Sequence, residues 1–303
     1  MTLLDNGEIY VIAGPTGSGK SQTAIDLAQV INGEIISADS MQLYKGLDIG
    51  TAKVSKDEQK LVKHYLIDVY DITVKSDVFK FCEMAREAIN EIRSRGKIPI
   101  VAGGTGFYIK SLLYGLDNLP GDDKLRGEIE LEFAGEEGFD ELKKLMKEID
   151  PASLEKYQNY HRKLIRALEV YRLTGKPFSA LQSEENTQLL YPNVKSFWIE
   201  HERETLKTRI RKRAEVMLEA GWIEEARTMI AAGLLQTPSA WQALGYSLIA
   251  RYLKNEFSYD ELIEKISTAT WQFARRQLTW FRHQHPESTR IEVADYRKIL
   301  ERK

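Results

Sequence analysis

Residues 14–21 read Gly-Pro-Thr-Gly-Ser-Gly-Lys-Ser, the spacing G-x-x-x-x-G-K-[ST]. In that spacing the glycines let the backbone curl until successive N–H groups point into one concavity, and the start of the following helix adds partial positive charge. Gly14, Pro15, Thr16, Gly17, Ser18, Gly19, Lys20 and Ser21 are therefore candidate phosphate-binding residues. Lys20 would reach the terminal phosphates and Ser21 would ligate Mg²⁺. Such a loop takes a diphosphate or a nucleotide triphosphate such as ATP without fixing the reaction that follows. An ATPase or kinase usually adds an Asp at the end of a sheet strand to hold the metal. Here the apolar run Ile98–Ala102 leads into Gly103-Gly104-Thr105-Gly106 instead, which argues against ATP hydrolysis and phosphoryl transfer.

A second group with chemical potential is Asp39-Ser40-Met41-Gln42, directly after the short apolar run Glu34–Ala38. In a parallel α/β sheet the carboxyl ends of strands line the ligand crevice. Asp39 should then stand beside the phosphate loop, where a carboxylate can accept a proton. The alternative is an Asp that caps the next helix through its backbone N–H groups. The residue types leave both open. Asp48-Ile49-Gly50-Thr51-Ala52-Lys53 adds a Gly-Thr turn and a cation, compatible with a further anion site.

The elements that must position these groups alternate. Ile9–Ala13 and Glu34–Ala38 predict strands, His64–Val69 a third, and Ile98–Ala102 a strand buried on both faces. Ser21–Ile31 and Phe79–Arg95 carry helical spacing, the second ending at Gly96. This β-α-β rhythm predicts an α/β fold: a P-loop NTPase-like parallel sheet core. After Leu119-Pro120-Gly121 the chain becomes helical and acidic, and strand character returns at Val194–Ile199, followed by a helix over Arg203–Glu219. Residues 120–191 are thus expected to form a helical insertion domain. Residues 1–119 and 192–303 would form the core with a helical C-terminal region.

The chain has 303 residues, a formal net charge of −2 and a single cysteine, Cys82, which exclude a disulfide framework, a Cys-rich zinc site and a globally basic nucleic-acid binder. Basic residues do cluster locally, at Arg203–Arg213 and Arg275–Arg282. No run approaches the roughly 18 apolar residues of a membrane span, and the first residues lack the layout of a secretory signal. A cytoplasmic monomer is the expectation.

Taken together, GPTGSGKS, ISADSMQLYKGLDIGTAK, KHYLID, GKIPIVAGGTGFYIKSLLYGL, RKLIRALEVYRLTGKPFS and ARRQLTWFR resemble the bacterial tRNA dimethylallyltransferases, also called tRNA isopentenyltransferases. The matches keep their order and cover nearly the whole chain. The resemblance implies prenyl transfer from dimethylallyl diphosphate to N6 of the adenosine just 3′ of the anticodon, with the loop holding the isoprenoid diphosphate. Asp39 matches the family's carboxylate that takes the N6 proton, Thr16 a hydroxyl near the leaving oxygen, and Arg213 an arginine that closes over the diphosphate. Arg209, on the same helical face, is the fallback for Arg213. The tRNA anticodon stem-loop would contact Asp39, Ser40, Met41, Gln42 and Thr105, then Arg162, Lys163, Leu164, Ile165 and Arg166, with Arg126 a further contact.

Other features read differently. A solvated charged face is the plain alternative for Arg162 and Arg166, with Leu164, Ile165 and Leu168 packing inward. Trp271, Phe273, Trp280 and Phe281 read as core residues, with base-stacking platforms as the alternative. His283 and His285 are not expected to be a metal pair. Gln242-Ala243-Leu244-Gly245-Tyr246-Ser247 lacks the cation that many relatives carry after Gly-Tyr, which weakens an RNA role for it. A small-molecule P-loop kinase, and a non-catalytic nucleotide-dependent RNA-binding switch, are the competing functions. The first fits the acidic insertion poorly, and the second leaves Asp39 without a task.

Overall fold

The computed structural model describes residues 7–116, 119–182, 189–284, 288–292 and 295–301. Its strands are β1 (Ile9–Ala13), β2 (Gly33–Ser37), β3 (His64–Tyr65), β4 (Ile98–Gly103), β5 (Val194–Ile199) and β6 (Thr289–Ile291). Its helices are α1 (Lys20–Ile31), α2 (Lys56–Leu61), α3 (Val78–Ser94), α4 (Gly106–Tyr114), α5 (Asp123–Glu132), α6 (Gly135–Ile149), α7 (Pro151–Tyr157), α8 (His161–Thr174), α9 (Phe178–Leu181), α10 (Arg203–Glu219), α11 (Trp222–Ala231), α12 (Tyr246–Tyr252), α13 (Tyr259–Gln284) and α14 (Tyr296–Leu300).

The six strands form one sheet in the order β3-β2-β4-β1-β5-β6, with every pairing parallel. This is the α/β, P-loop-like core that the alternating apolar runs predict. β1 is buried at all five positions because β4 and β5 flank it and α1 packs alongside. A strand covered in this way has no polar face to present to water, so its residues are Ile, Tyr, Val, Ile and Ala. The all-parallel order gathers the carboxyl ends of β1, β2, β4 and β5 along one edge.

The third strand is shorter than the predicted His64–Val69. Leu66 and Asp68 adopt left-handed φ of 61° and 56°, which turns the chain out of the ladder after Tyr65. β6, only three residues long, carried too little periodicity to be read from the sequence.

Two compact units divide the chain: residues to Tyr114 with those from Leu189 onward, and Gly115–Gln188. The sequence reading drew the insertion at 120–191. Leu190, which donates to Leu113 O at 2.7 Å, and the buried Tyr191 belong instead to the sheet unit. Helices α5–α8 build the insertion's own core from Ile129, Phe133, Leu142, Met146, Leu164, Ile165 and Leu168. No helix among the described residues is long and apolar enough to cross a membrane.

The Asp48–Lys53 segment does bind an anion, but an internal one. The Glu225 carboxylate of α11 accepts from the N–H groups of Asp48 (2.9 Å), Ile49 (2.7 Å) and Gly50 (2.9 Å), and from Tyr246 Oη at 2.6 Å. Lys53 is equally committed, donating to Tyr44 O at 2.8 Å and to Asp48 and Asp68 at 2.6 Å each. The sequence reading of this stretch as a further ligand site is therefore corrected: its amides and its cation are consumed within the fold. Gly245 belongs to the same construction, since a Cβ there would lie 2.3 Å from the Trp222 ring. Burial, then the neighbouring Glu225, holds the Tyr246 phenol well above its ordinary pKa, so it stays a donor.

Charge-assisted hydrogen bonds of this kind contribute roughly 1.5–3 kcal/mol each and are not additive on one acceptor. Glu225→Ala should therefore cost about 2–4 kcal/mol and lower the melting temperature by roughly 5–12 °C. Thermal unfolding followed by circular dichroism checks it; melting within about a degree of wild type would mean that water satisfies the three amides equally well.

Candidate active site

The loop after β1 needs left-handed backbone at Gly17 (φ 79°) and at Gly19 (φ 90°), the residue before α1. Side chains from elsewhere in the sheet unit pin it. Gln277 Oε1 of α13 accepts from Thr16 N at 2.9 Å, Arg209 Nε of α10 donates to Gly17 O at 2.8 Å, and His201 Nε2 lies 2.8 Å from Ser18 O. Lys20 Nζ donates to Pro15 O at 3.3 Å. No side chain caps the start of α1. Its first-turn amides have no intrahelical partner, so they remain for an anion.

Around this loop four charged groups share one field. Burial first, then repulsion from Arg213, push the Lys20 ammonium down to about 8, while Asp39 opposes the shift. Burial likewise lowers the Arg213 guanidinium, with Asp39 favouring the cation and Arg209 disfavouring it. Lys20, Arg213 and Asp39, three residues singled out from the sequence, are thus brought together. Arg209 is placed differently from the fallback role: its Nε holds the loop backbone.

Asp39 follows β2, whose end lies close to β4. A Cβ on Gly103 would sit 2.2 Å from Ala38 O, so glycine is required there. Asp39 Oδ1 accepts from Met41 N at 3.0 Å, Ser40 N donates to Thr105 Oγ1 at 3.1 Å, and Thr105 N donates to Ala38 O at 3.1 Å. Among the described residues no helix directly follows Asp39 for it to cap; its carboxylate closes a turn instead. One oxygen closes its own turn, while no hydrogen bond among the described residues reaches the other. Gln42 points inward: it accepts from Ser37 Oγ at 2.9 Å, donates to Thr51 O and Ala52 O at 3.4 Å, and is 9% exposed. It shapes the turn from behind, and its amide is not presented to a ligand.

Within the insertion, the basic residues separate into two kinds. Arg162 and Lys163 are exposed on α8. Arg126 and Arg166 instead enclose the fully buried Glu169 carboxylate, with Arg126 Nε to Oε2 at 2.9 Å and Arg166 Nη1 to Oε2 at 2.8 Å. Arg166 also donates to Pro120 O at 2.9 Å and Leu119 O at 3.0 Å. The two arginines pull the Glu169 carboxyl below the usual carboxylate range against the opposing effect of burial, the largest single influence on it. Leu164 and Ile165 are core side chains, 0% and 2% exposed, and offer no side-chain contact to RNA.

Of the aromatics on α13, Phe281 is core and stacks on Trp198 with ring centroids 6.3 Å apart. Trp271 and Trp280 are partly buried. Phe273 is 37% exposed, contrary to the expectation of a core position. His285 lies outside the described residues, and among the described residues no three His, Cys, Asp or Glu gather to hold a metal. The single hydroxyl of Ser21, beside the phosphate loop, is nonetheless a donor that fits Mg²⁺. Magnesium takes hard oxygen ligands and is commonly completed by substrate phosphates and water, not by a protein cage. Ser21 is exposed in the first turn of α1.

Sequence reasoning missed Gln277, His201 and Glu225. Only Gln277 carried a signal: a polar residue three after Ala274 and four before Phe281, on the buried face of its helix.

A family model described as IPP transferase matches residues 42–284. The tRNA dimethylallyltransferase of Acetivibrio thermocellus is 45% identical over 282 residues, covering 92% of this chain and 89% of its own. That of Geobacillus kaustophilus is 42% identical with the same coverage of both chains. Among solved structures, the full-length tRNA isopentenylpyrophosphate transferase of Bacillus halodurans superposes with a TM-score of 0.70 at 34% identity, covering 98% of this chain and 94% of that one. A eukaryotic dimethylallyltransferase described as acting on tRNA gives 0.76 at 30% identity, covering 91% and 70%.

The depressed Lys20 value predicts a pH dependence with two signs. Diphosphate binding should be strongest below about 8, where Lys20 is charged, and should weaken as pH rises through that value. Folding stability without ligand should do the reverse, because between about 8 and 10.5 the unfolded chain holds the proton that the folded chain has released. Calorimetric titration of inorganic diphosphate from pH 6.5 to 9.5 checks the first, with Lys20→Met expected to bind weakly and without the decline. A parallel decline in the variant would assign the titration to another group.

Proposed function

The chain belongs to the IPP transferase family and is a tRNA-modifying prenyltransferase, and on that premise we propose that it transfers the dimethylallyl group of dimethylallyl diphosphate to N6 of the adenosine 3′-adjacent to the anticodon. In this reaction the N6–C1 bond forms, the C1–O bond to diphosphate breaks, the bonding pair leaves with diphosphate, and the N6 proton goes to a base. The observation that carries the proposal is the joint field of Asp39, Lys20 and Arg213 beside a phosphate loop, with no acid at the end of β4.

An exocyclic adenine amine is a weak nucleophile, since its lone pair is delocalised into the ring. It needs a base at the nitrogen and stabilisation of the departing charge. Asp39 would take the proton through the oxygen not engaged by Met41. Lys20, Arg213 and the first-turn amides of α1 would hold the charge growing on diphosphate, with the Thr16 hydroxyl near the leaving oxygen. Ser21 would hold Mg²⁺, which when bound neutralises diphosphate charge. The adenosine must leave the anticodon-loop stack, at about a few kcal/mol. The turn of Asp39, Ser40 and Met41, tied to Thr105, would receive it. Arg162 and Lys163 would contact tRNA phosphates, while Arg126 and Arg166 support the insertion from inside. The cytoplasm, where tRNA is processed, is the corresponding compartment.

Incubation with labelled dimethylallyl diphosphate, with and without tRNA, should give label in tRNA and release of diphosphate. Consumption of ATP without such transfer would favour a kinase instead. Asp39→Asn is nearly isosteric but cannot take the proton, so turnover should fall by roughly 10²–10⁴ with both substrates still bound. Survival of kcat within about tenfold would place the base elsewhere.

Arg162→Ala with Lys163→Ala should weaken tRNA binding and flatten its salt dependence by about one unit per lost contact. Affinity for dimethylallyl diphosphate should stay unchanged. Arg166→Ala should behave differently, lowering the melting temperature because it strips a partner from buried Glu169. Titrations of tRNA across a salt series separate the two; a wild-type slope in the double variant would make those cations a solvated face.

A further inference from the structure

One side chain connects the leaving-group loop to the turn that carries the base. Gln277, 7% exposed on the buried face of α13, accepts from Thr16 N at 2.9 Å through Oε1 and donates to Gly104 O at 2.8 Å through Nε2. The residue after Gly104, Thr105, accepts from Ser40 N at 3.1 Å and donates its own N–H to Ala38 O at 3.1 Å. A continuous path of hydrogen bonds therefore runs from Thr16 through the Gln277 amide and the Gly104–Thr105 backbone to the residues on either side of Asp39.

The chemistry of the contacts selects this residue type. Thr16 offers an N–H and Gly104 a carbonyl, so the bridging group must accept at one atom and donate at its neighbour. A carboxylate of the same length has no proton for Gly104 O, and an amide one methylene shorter cannot reach both. The glycine beneath it is part of the same device. A Cβ on Gly104 would lie 2.4 Å from Gln277 Nε2 and 3.3 Å from Gly14 O, so a side chain there would expel the amide.

We propose that Gln277 is a positioning residue, whose side-chain amide fixes the distance between the phosphate loop and the Asp39 turn. The proposal rests on the transfer reaction above, in which the attacking nitrogen, the allylic carbon and the leaving oxygen must align. The amide touches neither substrate. It sets the span over which they meet, and a misplacement of about 1 Å can cost roughly a hundredfold in rate.

The test uses Gln277→Asn, which keeps an amide but shortens its reach, with Gln277→Glu as the second variant. Functional sites are first counted by titrating inorganic diphosphate. Single-turnover transfer is then measured at saturating dimethylallyl diphosphate and tRNA. Each variant should lose roughly 10- to 100-fold in rate per functional site, with KM for tRNA within about twofold of wild type. Amide exchange at Thr16, followed by mass spectrometry, should rise at least about tenfold in Gln277→Asn, which no longer reaches Thr16 and Gly104 together. A residue that merely stabilised the fold would lower the melting temperature and leave the rate per site unchanged, and that result would overturn the proposal. If wild type transfers no dimethylallyl group, the functional reading fails by itself. The exchange measurement still decides the coupling, and unchanged protection at Thr16 in Gln277→Asn would refute it.

Discussion

Lys20 and Arg213 repel one another in a partly buried place, and the rest of the core is arranged to make that arrangement last. Burial disfavours both charges, Arg213 weakens the hold of Lys20 on its proton as Arg209 does that of Arg213, and only Asp39 works in the opposite direction. Left to itself such a pair would separate into water. It persists because Lys20 begins α1, locked against the central strand, and because Arg213 rides on α10, whose Leu206, Ile210 and Ala214 are buried. The unfavourable field becomes an asset when an anion of high charge arrives, since a preorganised cation pair needs no further ordering at the moment charge develops.

The same logic of amides and cations around a carboxylate appears twice more, with the anion supplied by the chain. Glu225 fills the amides of Asp48, Ile49 and Gly50, and Glu169 fills the space between Arg126 and Arg166. From a sequence, a Gly-Thr turn followed by Lys, or two arginines on the helices of an insertion, reads like a place for a ligand phosphate. What separates the ligand site from its internal counterparts is the presence of a carboxylate on another element at the right height. At the phosphate loop the nearby acid, Asp39, closes its own turn with one oxygen and attracts the cations without filling the loop.

The sequence disclosed whatever depends on short-range pattern. The phosphate loop, the parallel strands and α10 with its limits Arg203–Glu219 follow from local spacing. So did the nearness of Asp39 to Lys20, since the parallel rhythm dictates which loop ends share an edge; Arg213, in the middle of α10, was indicated only by the family resemblance. What escaped was set by tertiary partners. The roles of Arg126 and Arg166 depend on Glu169, the role of Gln42 on two carbonyls nine and ten residues away, and the early end of β3 on two left-handed residues that no periodicity announces. Leu164 and Ile165 show the opposite case. Their apolar spacing already said core, and a motif taken as a block had to yield to it.

The glycines at the end of β4 bear on the choice of reaction. In phosphoryl transfer the bond that breaks is inside the phosphate chain, and an acid at that strand end orients the metal across it. Alkyl transfer leaves the diphosphate whole; the breaking bond lies between carbon and the outermost oxygen. Holding the departing group then suffices, and the strand end is released from metal duty. Gly103 and Gly104 use that freedom sterically: one admits Ala38 and the other the Gln277 amide. An Asp at either position would meet the backbone of β2 or displace the bridge from α13. The absence of the acid and the presence of the bridge are therefore one structural choice, and it favours a site that must align two substrates over one that must split a phosphate.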